Sequence, residues 1–228
     1  MQKIKAVFFD VDNTLLDFDK CAVYAIEHAF IDCGLPFDKS YPDIFFKINK
    51  GLWLDIEKKI ITFEQLQQMR FNKVFSAIGG IEYDGTITEA RFRYHLKDAH
   101  FAFEGAIELV EYLAKKYDLY VASNAIYDQQ IRRLKNAGLL DNFKQVFVSE
   151  TIGYAKPSKE FFDGCFNAIG GLNPAETVMI GDSLSADILG AYNYGMKSIW
   201  FNFENKVMPT DFAPDHVVEK LLQIKNIL

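Results

Sequence analysis

A doubly wound α/β parallel sheet carrying an inserted α-helical domain is the fold this sequence predicts, and three observations predict it. Short, near-continuously apolar runs recur along the chain, as expected of parallel strands whose two faces are both covered. From about residue 101 onward these runs alternate with amphipathic helical patterns, the rhythm of a sheet wound on both sides. Between Phe18 and His100 the rhythm fails: helical stripes continue but no convincing strand appears, which is too much chain for a single crossover. The economical reading is a core of residues 1–17 and 101–228, interrupted by a helical cap over residues 18–100.

The elements follow in order. The first strand is "KAVFFD", ending in Asp10. Asp17 and Asp19 are expected to form a turn and an N-cap for the first cap helix. The stripe of that helix, Ala22, Ala25, Ile26, Ala29, Phe30 and Cys33, stops at Gly34. Thr62-x-x-Gln65 is a capping box opening a second helix that runs to Gly79-Gly80, and a third pattern spans Thr88 to about Lys97. In the core, Ala106, Leu109, Val110, Leu113 and Tyr117 form one face of a helix from Glu104 to Tyr117, followed by the strands "LYVASN" and "QVFVSE". Phe162, Cys165, Phe166 and Ile169 share a face of the next helix, and Gly138 and Gly170 sit where helices should stop. "NPAE" at Asn173 offers a cap, a first-turn proline and an N3 acid; the strands "TVMIGD" and "KSIWFN" come after it.

Composition narrows the function. The chain has 228 residues, of which 50% are hydrophobic, with a net charge of -6 and no basic stripe, so polymeric nucleic acid and membrane surfaces are not expected partners. No apolar run approaches the ~20 residues of a membrane-spanning helix. Cys21, Cys33 and Cys165 form no CxxC, and the N-terminus lacks a basic-then-apolar leader pattern, so a reducing cytoplasm is the expected location. The four histidines show no ligand spacing.

In an open parallel sheet, ligands collect at the carboxyl ends of the strands. There this sequence puts Asp10 with Asp12 two residues on, Ser123-Asn124, Lys156-Pro157, and Gly181-Asp182 with Ser183, Ser185 and Asp187 behind. Carboxylates converging with a single lysine call for a hard divalent cation, and Mg²⁺ suits a few carboxylates plus water and substrate phosphate. An oxygen-only donor set argues against zinc.

"DVDNT" after an apolar strand, a strand ending in Ser-Asn, an isolated Lys-Pro and "GDSLSAD", in that order, resemble the four motifs of the haloacid dehalogenase superfamily. The branch resembled is that of the phosphatases with a Rossmann-like core and an α-helical cap inserted after the first motif, the C1 type. The resemblance implies that Asp10 is the nucleophile, becoming an aspartyl-phosphate, and that Asp12 is the general acid and base. It implies phosphate binding by Ser123, Asn124 through its backbone, and Lys156. It assigns Mg²⁺ to Asp10, the Asp12 carbonyl and Asp182, with Asp187 orienting these groups rather than binding the ion. The substrate implied is a small-molecule phosphate ester. "DVDNTLLDF" with "GDSLSADILGAYNYGMKSIWFN" is most similar to the 5'-nucleotidase-type house-cleaning phosphatases. Ala125 stands where many relatives have glycine, and Glu104 where proline is frequent.

Other readings stay open at this level. A phosphoglycolate or sugar-phosphate phosphatase fits the same core, and so does a phosphosugar mutase. A haloacid dehalogenase has no need of Asp12. A receiver-like phospho-acceptor module uses a strand-end aspartate with Mg²⁺, but its acidic pair is adjacent and it has no cap. Asp187 could serve only as a first-turn helix acid. In the cap, Trp53, Arg70, Arg91 and Tyr94 are candidates for reading the leaving group, set against ordinary roles as core aromatics and surface arginines. The sequence does not fix an oligomeric state.

Overall fold

The structure, a computed structural model, describes residues 3–208 and 210–228. The chain divides into two compact units, one of Met1–Asp17 with His100–Leu228 and one of Phe18–Ala99, so His100 groups with the core.

The core unit is built on a six-stranded sheet in the order β3-β2-β1-β4-β5-β6, parallel at every pairing. The strands are β1 (Ala6–Phe9), β2 (Asp118–Ser123), β3 (Gln145–Val148), β4 (Thr177–Gly181), β5 (Lys197–Phe201) and β6 (His216–Val218). Side chains alternate between faces, and both faces are apolar. Val7, Phe9, Val121, Val148, Ile180 and Ile199 enter one core with Leu109, Val110 and Leu113 of α5 (Ala106–Ala114). Phe8, Tyr120, Phe147 and Met179 enter the other with Phe161, Phe162 and Phe166 of α8 (Lys159–Ile169). Sequence order reverses between β1 and β4, and this switch point opens a crevice at their carboxyl ends.

Two expectations shift here. The helix expected over Glu104–Tyr117 is shorter, because Gly105 adopts φ 79 and leaves Ala106 as the first helical residue. "NPAE" closes only a 3₁₀ turn, Pro174–Glu176; Asn173 Oδ1 does accept from Ala175 N at 3.0 Å, but β4 begins at once. Strand β6 had no expectation behind it. It is three residues long, at the sheet edge, with only Val218 buried, so it carries no apolar run. The remaining core helices are α6 (Tyr127–Asn136), α7 (Ser149–Ile152) and α9 (Leu189–Tyr194).

The second unit contains four helices: α1 (Phe18–Asp32), α2 (Tyr41–Glu57), α3 (Phe63–Ile78) and α4 (Gly85–Leu96). Asp17 precedes α1 and Asp19 lies in its first turn, where an acid favours the helix dipole. The capping box at Thr62 forms in both directions, Gln65 N to Thr62 Oγ1 at 3.2 Å and Thr62 N to Gln65 Oε1 at 2.9 Å. Helix α2 was not expected: its buried positions are Pro42, Phe45, Asn49 and Leu52, and an asparagine on that face with Gly51 beside it obscures the stripe. Among the described residues, no helix is long and apolar enough to cross a membrane.

Candidate active site

Asp10 follows β1 directly, and its N–H donates to Ile180 O at 2.9 Å, continuing the ladder to β4. The chain then turns tightly: Leu15 N and Leu16 N both donate to Val11 O at 2.9 Å, and Asn13 takes φ 60, a region where asparagine is tolerated. Asp12 therefore stands at the rim of the crevice, its side chain 28% exposed.

Lys156 arrives from the segment after α7, joined to Pro157 by a cis peptide bond. Its loop is fixed by one side chain: Asn124 Oδ1 accepts from Lys156 N at 2.8 Å, and Asn124 Nδ2 donates to Lys156 O at 2.9 Å. The Asn124 side-chain amide is thus committed to the lysine main chain. The ammonium itself is buried. It donates to Asp10 Oδ1 at 2.7 Å, to Asp187 Oδ1 at 2.6 Å and to Ala122 O at 2.6 Å.

Asp182 follows β4 directly, and Trp200 Nε1 donates to its carbonyl at 2.9 Å. Ser183 Oγ accepts from Ala186 N at 3.1 Å and opens a π-helical turn, Leu184–Ile188, a wide turn recurrent at functional sites. This turn brings Asp187 back against the strand end, where Oδ2 accepts from Ser183 N at 3.1 Å. A Cβ on Gly181 would lie 2.2 Å from that Oδ2, so the approach requires glycine.

The electrostatics follow from burial and crowding. Burial pushes the Asp10 carboxyl up to about 7; Lys156 pulls it down, while Asp187 and Asp12 push it further up. Burial also holds Asp182 well above the usual carboxylate range, reinforced by Asp187 and Asp10 and opposed by Lys206 and Lys156. For Lys156 burial acts downward, but Asp10 and Asp187 outweigh it and the ammonium is held above its ordinary range. Carboxylate oxygens of Asp10, Asp182 and Asp187 all lie within 4.8 Å of one another. Three such acids facing one lysine fit a hard divalent cation, the all-oxygen donor set favouring Mg²⁺ over zinc. Both Asp187 oxygens are already engaged, which suits orientation of the cluster better than ligation.

The seven residues to which the resemblance assigns roles, Asp10, Asp12, Ser123, Asn124, Lys156, Asp182 and Asp187, therefore belong to the carboxyl edge of the core sheet. The cap candidates divide differently. Arg70 is buried within the cap unit, where Nε and Nη2 donate to Glu89 at 2.9 and 2.5 Å and Nη1 to Asn49 Oδ1 at 2.8 Å, so it is occupied there. Trp53 packs on Phe63, ring centroids 5.6 Å apart, while Arg91 and Tyr94 are exposed. Three core residues had not been anticipated. Gln130 and Arg133 of α6 bind Asp12, and Lys206 Nζ lies 4.0 Å from Asp182 Oδ2.

The sequence model of the haloacid dehalogenase-like hydrolases matches residues 4–195. Pyrimidine 5'-nucleotidase PynA of Streptococcus pneumoniae is 37% identical, over 98% of this chain and 97% of its own. A glyceraldehyde 3-phosphate phosphatase of Methanothermobacter thermautotrophicus is 30% identical, over 99% of this chain and 100% of its own. Among solved structures, magnesium-bound HAD-hydrolase YfnB of Bacillus subtilis matches with a TM-score of 0.95 at 33% identity, covering 100% of this chain and 99% of that one. Fold, site and relatives together define a hydrolase built on a doubly wound parallel sheet. More narrowly, the chain belongs to the haloacid dehalogenase-like hydrolase family.

Proposed function

We propose that this chain is a Mg²⁺-dependent phosphomonoester hydrolase that works through an aspartyl-phosphate on Asp10, and that its substrate is a nucleoside 5'-monophosphate. The observation that carries the reaction is the Lys156 ammonium between Asp10 and Asp187, with Asp12 two residues from the nucleophile. The nucleotide is favoured by full-length similarity to a pyrimidine 5'-nucleotidase.

In the first step an Asp10 carboxylate oxygen attacks phosphorus, the ester P–O bond breaks, and Asp12 gives its proton to the departing oxygen. In the second, Asp12 takes a proton from water as the water oxygen attacks phosphorus; the bond to Asp10 breaks and inorganic phosphate leaves. Ser123 Oγ and the Asn124 backbone hold the phosphoryl oxygens, and Lys156, whose three donors go to Asp10, Asp187 and Ala122 O, contributes its positive charge beside them. Asp10, Asp182 and the Asp12 carbonyl would hold Mg²⁺, with Asp187 orienting them, and the bound ion would supply charge stabilisation at the transferring group. Uncatalysed phosphomonoester hydrolysis is slow enough that accelerations up to ~10²¹-fold are needed, which explains why donors and charge converge on one group.

Phosphate release from a panel of phosphomonoesters with Mg²⁺ tests the assignment. Turnover is expected on nucleoside monophosphates and none in Asp10→Asn. Activity confined to sugar phosphates or phosphoglycolate overturns the nucleotidase reading, and the similarity to a glyceraldehyde 3-phosphate phosphatase makes that arm informative. Full turnover by Asp10→Asn overturns the mechanism. Conversion of a hexose phosphate without phosphate release points to a mutase, and a long-lived phosphoprotein without turnover to a receiver-like acceptor.

A further inference from the structure

Helix α6 follows the Ser123-Asn124 strand end, and its inward face is unusual. A helix packed on a sheet ordinarily turns an apolar stripe inward, yet the buried residues of α6 include Gln129, Gln130 and Arg133, the last two fully buried. A guanidinium removed from water is costly unless geometry and further hydrogen bonds offset the loss. Here the offset comes from Asp12. Arg133 Nη1 donates to Asp12 Oδ1 at 2.5 Å and to Gln130 Oε1 at 3.2 Å. Gln130 Nε2 donates to Asp12 Oδ2 at 2.7 Å and to Ser123 Oγ at 3.0 Å.

Each Asp12 oxygen is therefore held by a different side chain, and one amide touches both Asp12 and Ser123. Unrestrained, an aspartate at a rim samples several staggered positions. Donors three residues apart lie on the same face of a helix and approach the carboxyl together. A carboxyl group has about four lone-pair positions, so two donors leave one to carry the proton that is donated to a substrate oxygen.

We propose that Arg133 and Gln130 are positioning residues for proton transfer, fixing the Asp12 carboxyl at a set place relative to the Ser123 hydroxyl and hence to the ester oxygen that departs. The inference rests on the reading of Asp12 as general acid. The step it serves is the first one above: the ester P–O bond breaks and the Asp12 proton passes to the leaving oxygen. Arg133 and Gln130 act through the Asp12 carboxyl that they hold and themselves give up no proton to the leaving oxygen.

General acid assistance is worth roughly 10²- to 10⁴-fold and matters most for poor leaving groups. The test is kcat/KM across aryl phosphates of graded leaving-group basicity, from p-nitrophenyl phosphate to phenyl phosphate, with an alkyl ester at the far end. It is run with Mg²⁺ on the wild type, Asp12→Asn, Arg133→Met, Arg133→Lys and Gln130→Leu. The expected result is a shallow slope for the wild type and a steep one for Asp12→Asn. Arg133→Met and Gln130→Leu should lose about 10-fold or more on the poorest leaving group while losing little on p-nitrophenyl phosphate, and Arg133→Lys should recover part of the loss. Near-UV circular dichroism identifies folded variants; Gln130→Leu carries the test if Arg133→Met does not fold. Equal losses on every ester in folded variants overturn the positioning role, because structural damage is indifferent to the leaving group. A slope for Asp12→Asn no steeper than wild type overturns the acid reading and this inference with it. A steep Asp12→Asn beside wild-type slopes for the other variants overturns this inference alone.

Discussion

Lys156 is the residue on which the site's chemistry balances. Its ammonium has three acceptors, two of them carboxylates, and without it Asp10 and Asp187 would crowd each other in a buried crevice. One lysine does not neutralise the cluster, so in the metal-free protein Asp10 is pushed up to about 7, by burial first and by Asp187 and Asp12 after it. An acid whose folded pKa exceeds its unfolded value of 3.8 binds more protons folded than unfolded, so its contribution to stability falls as pH rises from about 4 to about 7. Binding a cation requires the carboxylate and releases that proton. The metal-free protein is therefore expected to lose thermal stability from pH 5 to about 7.5, with Mg²⁺ raising Tm more at the upper end. Calorimetry near pH 6 in buffers of different ionisation enthalpy should register proton release on Mg²⁺ binding, and zero release would contradict the raised Asp10. Asp10, Ser123 and Asp182 could be found from sequence because each closes an apolar strand run that stops abruptly at a polar side chain. Gln130 and Arg133 left a fainter mark. Long polar side chains in a helix ordinarily face water, and only their three-residue spacing just after Ser123-Asn124 hints at a shared inward face.

At the scale of elements, legibility tracked how completely a segment is apolar. The five strands with at least three buried residues each were readable as runs, whereas β6, with one, was not. Helices α1 and α3 announced themselves by stripe and capping box, while α2 hid behind Asn49. The reason for Asn49 lies in the neighbouring helices. Arg70 of α3 is buried between the Phe45 and Phe92 rings, 5.2 and 4.8 Å from their centroids, and uses Glu89 of α4 and Asn49 of α2 as its acceptors. One buried charge thus ties three cap helices together. Removing one partner of such a pair leaves the other charged and unpaired, at a cost on the order of 3–5 kcal/mol, while replacing both by apolar side chains is often neutral. Arg70→Ala is accordingly expected to lower the urea midpoint of the cap transition strongly, and Arg70→Met with Glu89→Leu to restore most of it. An Arg70→Ala midpoint matching wild type would show that the network carries no net stability.

For the whole molecule, the consequence concerns how an insertion of this size can interrupt β1 from the rest of its sheet. The two ends of the gap are already joined within the core unit: Asp17 N donates to Phe101 O at 2.8 Å, Phe103 N donates to Leu15 O at 3.0 Å, and Leu16 bridges Ala102. Closing the chain there costs little, since the residues flanking the insertion are hydrogen-bonded whatever lies between them. The cap in turn has its own core of Ala22, Ile26, Phe30, Phe45, Phe71 and Phe92, and needs no strand from the sheet. Every group assigned to the chemistry, from Asp10 to Asp187 with Gln130 and Arg133, belongs to the core unit. A chain in which residues 18–99 are replaced by a Gly-Ser linker of about four residues should therefore fold cooperatively and keep its sheet by far-UV circular dichroism. It should also gain thermal stability from Mg²⁺ through Asp10 and Asp182, although Asp182→Asn in the same chain should not. A shortened chain that folds yet ignores Mg²⁺ would mean that the cation site is incomplete without the cap. One that fails to fold would mean that the sheet draws stability from the insertion, despite the hydrogen bonds that close the gap.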